Sequence, residues 1–126
     1  MNAVAIEANP TTRWTFVCRL ADLEVDRGVC ALVGGTPVAV FRVSTPQDTI
    51  FAVDNHDPIC DVSVLSRGIV GATRIGADDI DTVYVASPMR KHRFVLATGA
   101  CLDDPSVTIA VYPVRVIDGA IEIGSS

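Results

Sequence analysis

Little in this chain marks it as an enzyme or a nucleic-acid binder. Basic residues are in deficit: 10 Lys and Arg face 15 Asp and Glu, a net charge of −5. That argues against a nucleic-acid partner, which calls for a basic surplus against the polyanion. The opening Met1-Asn-Ala-Val-Ala-Ile-Glu has no basic segment ahead of an apolar one, so no secretory signal is expected. No apolar run is long enough to span a bilayer, so no membrane partner is expected either. The expected address is cytoplasmic, where thiols stay reduced. The cysteines, Cys18, Cys30, Cys60 and Cys101, form no Cys-x-x-Cys pair and no zinc-type cluster. They read as small buried hydrophobes. There is no Ser/His/Asp signature, no phosphate-cradling glycine loop and no paired-carboxylate motif, so no catalytic residue is assigned. Glu, Lys and Gln are scarce while Val and Ile are frequent, which disfavours long helices and favours strands.

What is present is a chain of 126 residues, 49% apolar, long enough for one domain with its own core. Residues 1–12 read as a flexible tail, and 13–126 as the folded unit. Trp14–Cys18 is the first strand candidate, with Trp14, Phe16 and Cys18 on one face. Leu20 and Leu23 allow one short helical turn, closed by Gly28. Val29–Val33 and Pro37–Val43 flank Gly34-Gly35 and predict a hairpin, followed by a loop over 44–48 and a strand over Thr49–Val53. These first strands are expected to form a meander.

Asp54 to Arg67 breaks any regular period and reads as a long irregular loop. Ile69-Val70 is short and apolar, and Gly71 to Asp81 reads as a solvated acidic loop with Asp78, Asp79 and Asp81. Thr82–Ala86 and His92–Leu96 are strands around a Ser87-Pro88 break, with a Thr98-Gly99 turn after the second. From Thr108 to Ile117 the alternation changes parity at Pro113, which predicts a bulge or bend. Asp118-Gly119 predicts a closing hairpin to Ala120–Ile123. About nine short strands with hardly any helix imply an all-β sandwich or barrel.

The two irregular loops each follow an apolar strand, and their surroundings resemble the Rieske iron–sulfur domain. Asp57-Pro58-Ile59 with Val64-Leu65-Ser66-Arg67-Gly68 matches that family's first loop. Ser87-Pro-Met-Arg90 with Arg93-Phe94-Val-Leu-Ala-Thr-Gly99 matches its second, and Tyr112-Pro-Val-Arg-Val116 with Asp118-Gly119 its closing hairpin. The resemblance spans roughly residues 14 to 124 and implies an antiparallel β sandwich or barrel with two long loops at one end. In that family Cys-x-His and Cys-x-x-His hold a [2Fe–2S] cluster. Carried over by position, the four ligand positions are Asp57, Ile59, Ser87 and Arg90, so the resemblance implies the fold without the cluster.

Among Rieske-like chains without the ligands, this one is similar to the small subunit of assimilatory NAD(P)H nitrite reductase. The tracts Phe51-Ala-Val-Asp-Asn55, Val64-Leu-Ser-Arg-Gly-Ile-Val-Gly71, Val85-Ala-Ser-Pro88 and Leu102-Asp-Asp-Pro105 carry that likeness. It implies a non-catalytic chain with no cofactor of its own. Its partner would be a large subunit carrying FAD, a [4Fe–4S] cluster and sirohaem, which reduces nitrite to ammonia in nitrate assimilation. Docking residues are expected at the loop tips: His56, Asp57, Arg67, Arg90, Lys91 and Arg93.

Other readings stand beside this one. A Rieske-type ferredoxin carrying electrons would need the four ligands. A metal-binding β interaction module could use His56, Cys60 and His92, although their spacing fits no compact zinc pattern and His92 falls in a basic run expected to face solvent. The run Arg90-Lys91-His92-Arg93 is either a solvated loop entering a strand or a patch for an acidic partner. Asp57 and Arg90, on facing loops, are either two unrelated surface charges or an ion pair, direct or through water, in place of the cluster.

Overall fold

The computed structural model describes residues 2–3, 12–44, 47–75 and 81–125. Its strands in chain order are β1 (Asn2–Ala3), β2 (Arg13–Arg19), β3 (Arg27–Val33), β4 (Thr36–Val43), β5 (Thr49–Asp54), β6 (His56–Asp57), β7 (Val62–Ser63), β8 (Ile69–Arg74), β9 (Asp81–Ala86), β10 (Arg93–Val95), β11 (Val114–Ile117) and β12 (Ala120–Ser125). The only helical pieces among the described residues are 3-10 turns at Leu20–Asp22 and Leu65–Arg67. The sheets are ordered β1-β5-β4-β3, β10-β9-β8, β11-β12-β2 and the small pair β6-β7. Apart from β1, which lies parallel to β5, the strand pairs are antiparallel. The fold is all-β, as the short apolar runs predict.

Two turns form as their residues require. Gly34 and Gly35 take φ of 57° and 82°, and Asp118 and Gly119 take 50° and 79°. These left-handed backbones match the right-handed twist of the flanking strands. The meander is β3-β4-β5, but β2 is not part of it: it pairs with β12 instead. The register slips between Ile121 and Glu122, which face Cys18 and Phe16, so Val17 is the extra residue of a bulge. That bulge breaks the expected shared face. Phe16 is exposed, while Val17 and Cys18 pack on the core. The first helical turn ends at Leu23, and Gly28 lies inside β3, not at a helix end. A side chain on Gly28 would strike Phe41 and the Ser66 carbonyl, so glycine there lets the Leu65–Arg67 turn sit on β3.

The loop expected from Gly71 to Asp81 is shorter than read. β8 runs on to Arg74 and β9 starts at Asp81, pairing Arg74 with Asp81. Asp78 and Asp79 lie outside the described residues, as do Thr45 and Pro46 of the loop over 44–48 and most of the tail expected over 1–12. Cys101 is buried and Cys18 and Cys60 are half-buried, but Cys30 is exposed because β3 is the sheet edge and alternates its faces.

Burial is divided between two apolar clusters. The first gathers Phe41, Val53, Leu65, Val85, Phe94, Leu96 and Ile109 among others. The second gathers Leu23, Val38, Val40, Ile50, Val114, Ile121 and Ile123. Pro113 is where the chain passes between them: Val107, Ile109 and Val111 serve the first cluster, Tyr112, Val114 and Val116 the second. The predicted parity change is this handover. Val111 bridges to Val53, and the Tyr112 hydroxyl donates to Asp54 Oδ1 at 2.5 Å, which fixes the segment against β5 just before the first loop leaves it.

Candidate functional site

The first loop is built on two polar hubs. Asn55 is buried, and its side-chain oxygen accepts the Ser66 N–H at 2.7 Å while its carbonyl accepts the Leu65 N–H at 3.0 Å. One residue thus ties the loop's start to its end. Between those ends β6 and β7 make a two-residue ladder, His56 opposite Ser63 and Asp57 opposite Val62. The turn joining them begins at Asp57, whose Oδ1 accepts the N–H groups of Ile59 at 2.9 Å and Cys60 at 3.3 Å. An aspartate gripping the backbone two residues on is a turn-former by chemistry.

The second loop, from Ser87 to His92, closes on itself. The Ser87 N–H donates to the His92 carbonyl and the Lys91 N–H to the Ser87 carbonyl, each at 2.9 Å. Lys91 takes a left-handed φ of 62° to turn the chain. The Met89 N–H reaches the Ser87 hydroxyl at 3.4 Å.

The loops meet at Asp57. Its carboxylate is fully buried, with Ser87 1% and His92 8% exposed beside it. The Ser87 hydroxyl donates to Asp57 Oδ2 at 2.6 Å. His92 Nε2 lies 2.9 Å from Oδ1 and 2.8 Å from Oδ2. Burial pushes the Asp57 carboxyl up, but the bonds from Ser87, His92 and the two N–H groups outweigh it and hold it below the ordinary carboxylate range. An ionised carboxylate can only accept, so the Nε2 proton is assigned to His92. The His92 ring stands edge-on to Phe94, centroids 5.4 Å apart, which joins this polar centre to the first apolar cluster.

This geometry corrects two expectations. Asp57 does not pair with Arg90; its partners are His92 and Ser87, while Arg90 is exposed. His92 does not face solvent: it stands just before β10, 8% exposed, with its ring edge-on to that of Phe94. Asp57, being buried, is also unavailable as a docking tip. Of the other tip residues, His56, Arg67, Arg90 and Lys91 are exposed. His56 contacts Asp61 at 3.0 Å. Arg93 is half-exposed and already engaged, with Asp103 at 2.9 Å and the Tyr84 ring 5.6 Å away. Arg67 lines a separate open cleft of about 510 Å³ with Asp26, Arg27 and Ile69.

A family model described as "Rieske-like [2Fe-2S] domain" matches residues 13–124. The chain belongs to this Rieske-like family. The nitrite reductase (NADH) small subunit of Escherichia coli K12 is 38% identical over 112 residues, covering 89% of this chain and 97% of that one. A crystal structure described as a putative NADH-dependent nitrite reductase small subunit from Mycobacterium tuberculosis superposes with a TM-score of 0.81. It shares 40% identity over 91% of this chain and 96% of that chain. A nitrite reductase [NAD(P)H] large subunit from Klebsiella oxytoca is 31% identical over 94% of this chain, which corresponds to 11% of that protein's length.

The family's cluster does not fit the residues of this Rieske-like chain. A [2Fe–2S] centre of this type takes two thiolates and two imidazoles. Around Asp57, Cys60 supplies one thiol and His92 one imidazole. Ile59 has no lone pair, and the Arg90 guanidinium stays protonated and cannot donate to iron. The hydroxyl of Ser87 is already spent on Asp57. Sequence reasoning placed Asp57 and Ser87 at ligand positions of the two loops and named His92 only as a candidate metal ligand in a basic run, not as the partner of Asp57 that completes the connection. The signal was available: His92 shares parity with Phe94.

Proposed function

We propose that this chain is the small, non-catalytic subunit of an NAD(P)H-dependent nitrite reductase. It docks on a large subunit bearing FAD, a [4Fe–4S] cluster and sirohaem, which reduces nitrite to ammonia in nitrate assimilation in the cytoplasm. The observation that supports this most directly is the 38% identity to a nitrite reductase small subunit along nearly the whole of both chains. The Klebsiella oxytoca relative adds weight, since there a stretch similar to this chain lies within the large-subunit polypeptide itself. No helix among the described residues is long and apolar enough to cross a membrane.

In this reading residues 13–126 are the docking domain, preceded by a tail over 1–12 that is not wholly free, since Asn2–Ala3 pairs along β5. The clamp between the loops replaces the cluster as the device that keeps the tips together. Asp57, Ile59, Ser87 and Arg90 are the vestigial ligand positions, and no residue acts on nitrite. Docking falls to His56, Arg90 and Lys91, with exposed Met89 and Ile59 beside them and Arg67 at the margin. A cationic rim around apolar side chains suits an acidic, partly apolar partner surface and speeds encounter.

Co-expression with a nitrite reductase large subunit tests the reading. The expected result is a co-eluting complex whose NAD(P)H-dependent nitrite reduction exceeds that of the large subunit alone. Subunits that never co-elute, with nitrite reduction unchanged by this chain, would sink it. Arg90→Glu with Lys91→Glu should slow association and flatten its salt dependence while leaving the isolated chain folded.

A further inference from the structure

Although the donors for an iron–sulfur cluster are missing, the two loops gather a different set. An oxygen of Asp57, the sulfur of Cys60 and a ring nitrogen of His92 all lie within 4.8 Å of one another. We propose that Asp57, Cys60 and His92 form a mononuclear site for a Zn²⁺-class divalent ion, with the fourth position open to water or a partner's group. The site does not depend on the nitrite reductase reading.

One thiolate, one imidazole and one carboxylate make the mixed sulfur, nitrogen and oxygen set that borderline ions take. Bonds of about 2.0–2.3 Å in a tetrahedron keep neighbouring donors roughly 3.3–3.6 Å apart. His92 Nε2 sits 2.8 Å from Asp57 Oδ2, so that pair opens by about half an ångström, and Cys60 closes by at most a little more than one, for the ion to enter. Both are side-chain adjustments.

The surroundings are set in advance. The Ser87 hydroxyl holds Asp57 Oδ2, and the Ile59 N–H holds Oδ1. Those bonds fix the carboxylate's plane whether or not an ion is present, the orienting work that outer partners do around metal sites. The Phe94 ring packs edge-on against the His92 ring, centroids 5.4 Å apart. Two donors are buried and Cys60 is half-buried, so the sulfur stands nearest the mouth. Without an ion, burial and the neighbouring Asp57 carboxylate push the Cys60 thiol above its ordinary range. On binding, the ion takes the place of the thiol proton, which leaves to solvent, and Nε2 is freed as the ring proton sits on Nδ1, so the imidazole coordinates as the neutral ring. The exposed pair of His56 and Asp61, 3.0 Å apart, serves as the control.

The test uses the full chain, reduced, stripped with a chelator and titrated with Co²⁺ alone. Expected are one Co²⁺ per chain, a sulfur-to-cobalt charge-transfer band and visible bands of tetrahedral strength, all erased by Zn²⁺. Cys60→Ala and Cys60→Ser should each abolish the charge-transfer band with the fold intact by circular dichroism. Cys30→Ala and His56→Ala should leave it. Ser87→Ala should keep the band and weaken binding by about 10–100-fold. Absence of a stoichiometric charge-transfer band in the native chain overturns the proposal even if the Cys60 variants fail to fold. A band that survives the loss of Cys60, or disappears with Cys30, overturns it as well.

Discussion

The two cores of this small domain are closed in different ways. The second cluster, around Ile121, Ile123 and Val40, is apolar throughout, and charges such as the Arg115–Glu122 pair stay on its outer surface with Arg115 over Trp14. The first cluster ends in a polar centre. The buried polar residues among those described are Asn55, Asp57, Ser66, Ser87 and His92, all on the two loops. An apolar core tolerates exchange of similar volumes, because dispersion and burial have little direction. A buried polar network does not, because each donor needs its own acceptor. The loop end is therefore specified by bonds, and the other end by filling.

The sharpest way to break that contrast is Asp57→Ala. It removes the acceptor of Ser87 and His92 at once and leaves both buried without it, so it should cost about 3–5 kcal/mol of stability, read by urea unfolding. Asp57→Asn keeps the shape and part of the bonding and should cost about 1–3 kcal/mol. In the apolar core, Ile121→Val should cost only about 0.5–1.5 kcal/mol. If the two cores responded alike, bonding and filling would not be distinct modes here.

Acid provides the same comparison without changing the residue first. The folded pKa of Asp57 lies below its ordinary value of 3.8. Its contribution is therefore present above about pH 4 and is lost as pH falls through the folded value. The stability gap between the native chain and Asp57→Asn should shrink as pH falls below about 4. The second cluster has no buried carboxylate among the residues described in it, so Ile121→Val should show a gap that does not change with pH.

Most of the framework was legible because its signals are local. Gly34-Gly35 and Asp118-Gly119 name their own turns, and Pro113 announces the change of parity that the handover between cores requires. What was misread depended on partners far along the chain. The bulge at Val17 is set by β12, about a hundred residues away, and nothing near Trp14 reports it. The partner of Asp57 is the harder lesson. A basic run draws attention to charge, so Arg90 looked like the natural counter-ion. Strand parity already set His92 beside Phe94 and Leu96 on the inward face, and Ser87 in step with Val85 and Val83. The fold of the loops was readable in outline, but which polar side chain answered Asp57 was a question of facing, not of charge.

The smallest expected effect lies at the margin of the clamp. Arg93 begins β10, one residue after His92, and its guanidinium and backbone N–H both reach the Asp103 carboxylate, the latter at 2.7 Å. The Arg93 bonds hold the Asp103 carboxyl below its ordinary range. The pair is open to water, where screening and side-chain entropy cancel most of the attraction. Asp103→Ala should therefore barely move the unfolding midpoint, and a double-mutant cycle with Arg93→Ala should give a coupling near the limit of detection that fades in high salt. A coupling as large as that of His92 with Asp57 would place Arg93 inside the clamp and extend the bond-specified region into β10. A negligible one would draw its boundary at His92, the last of the buried polar residues along the described chain.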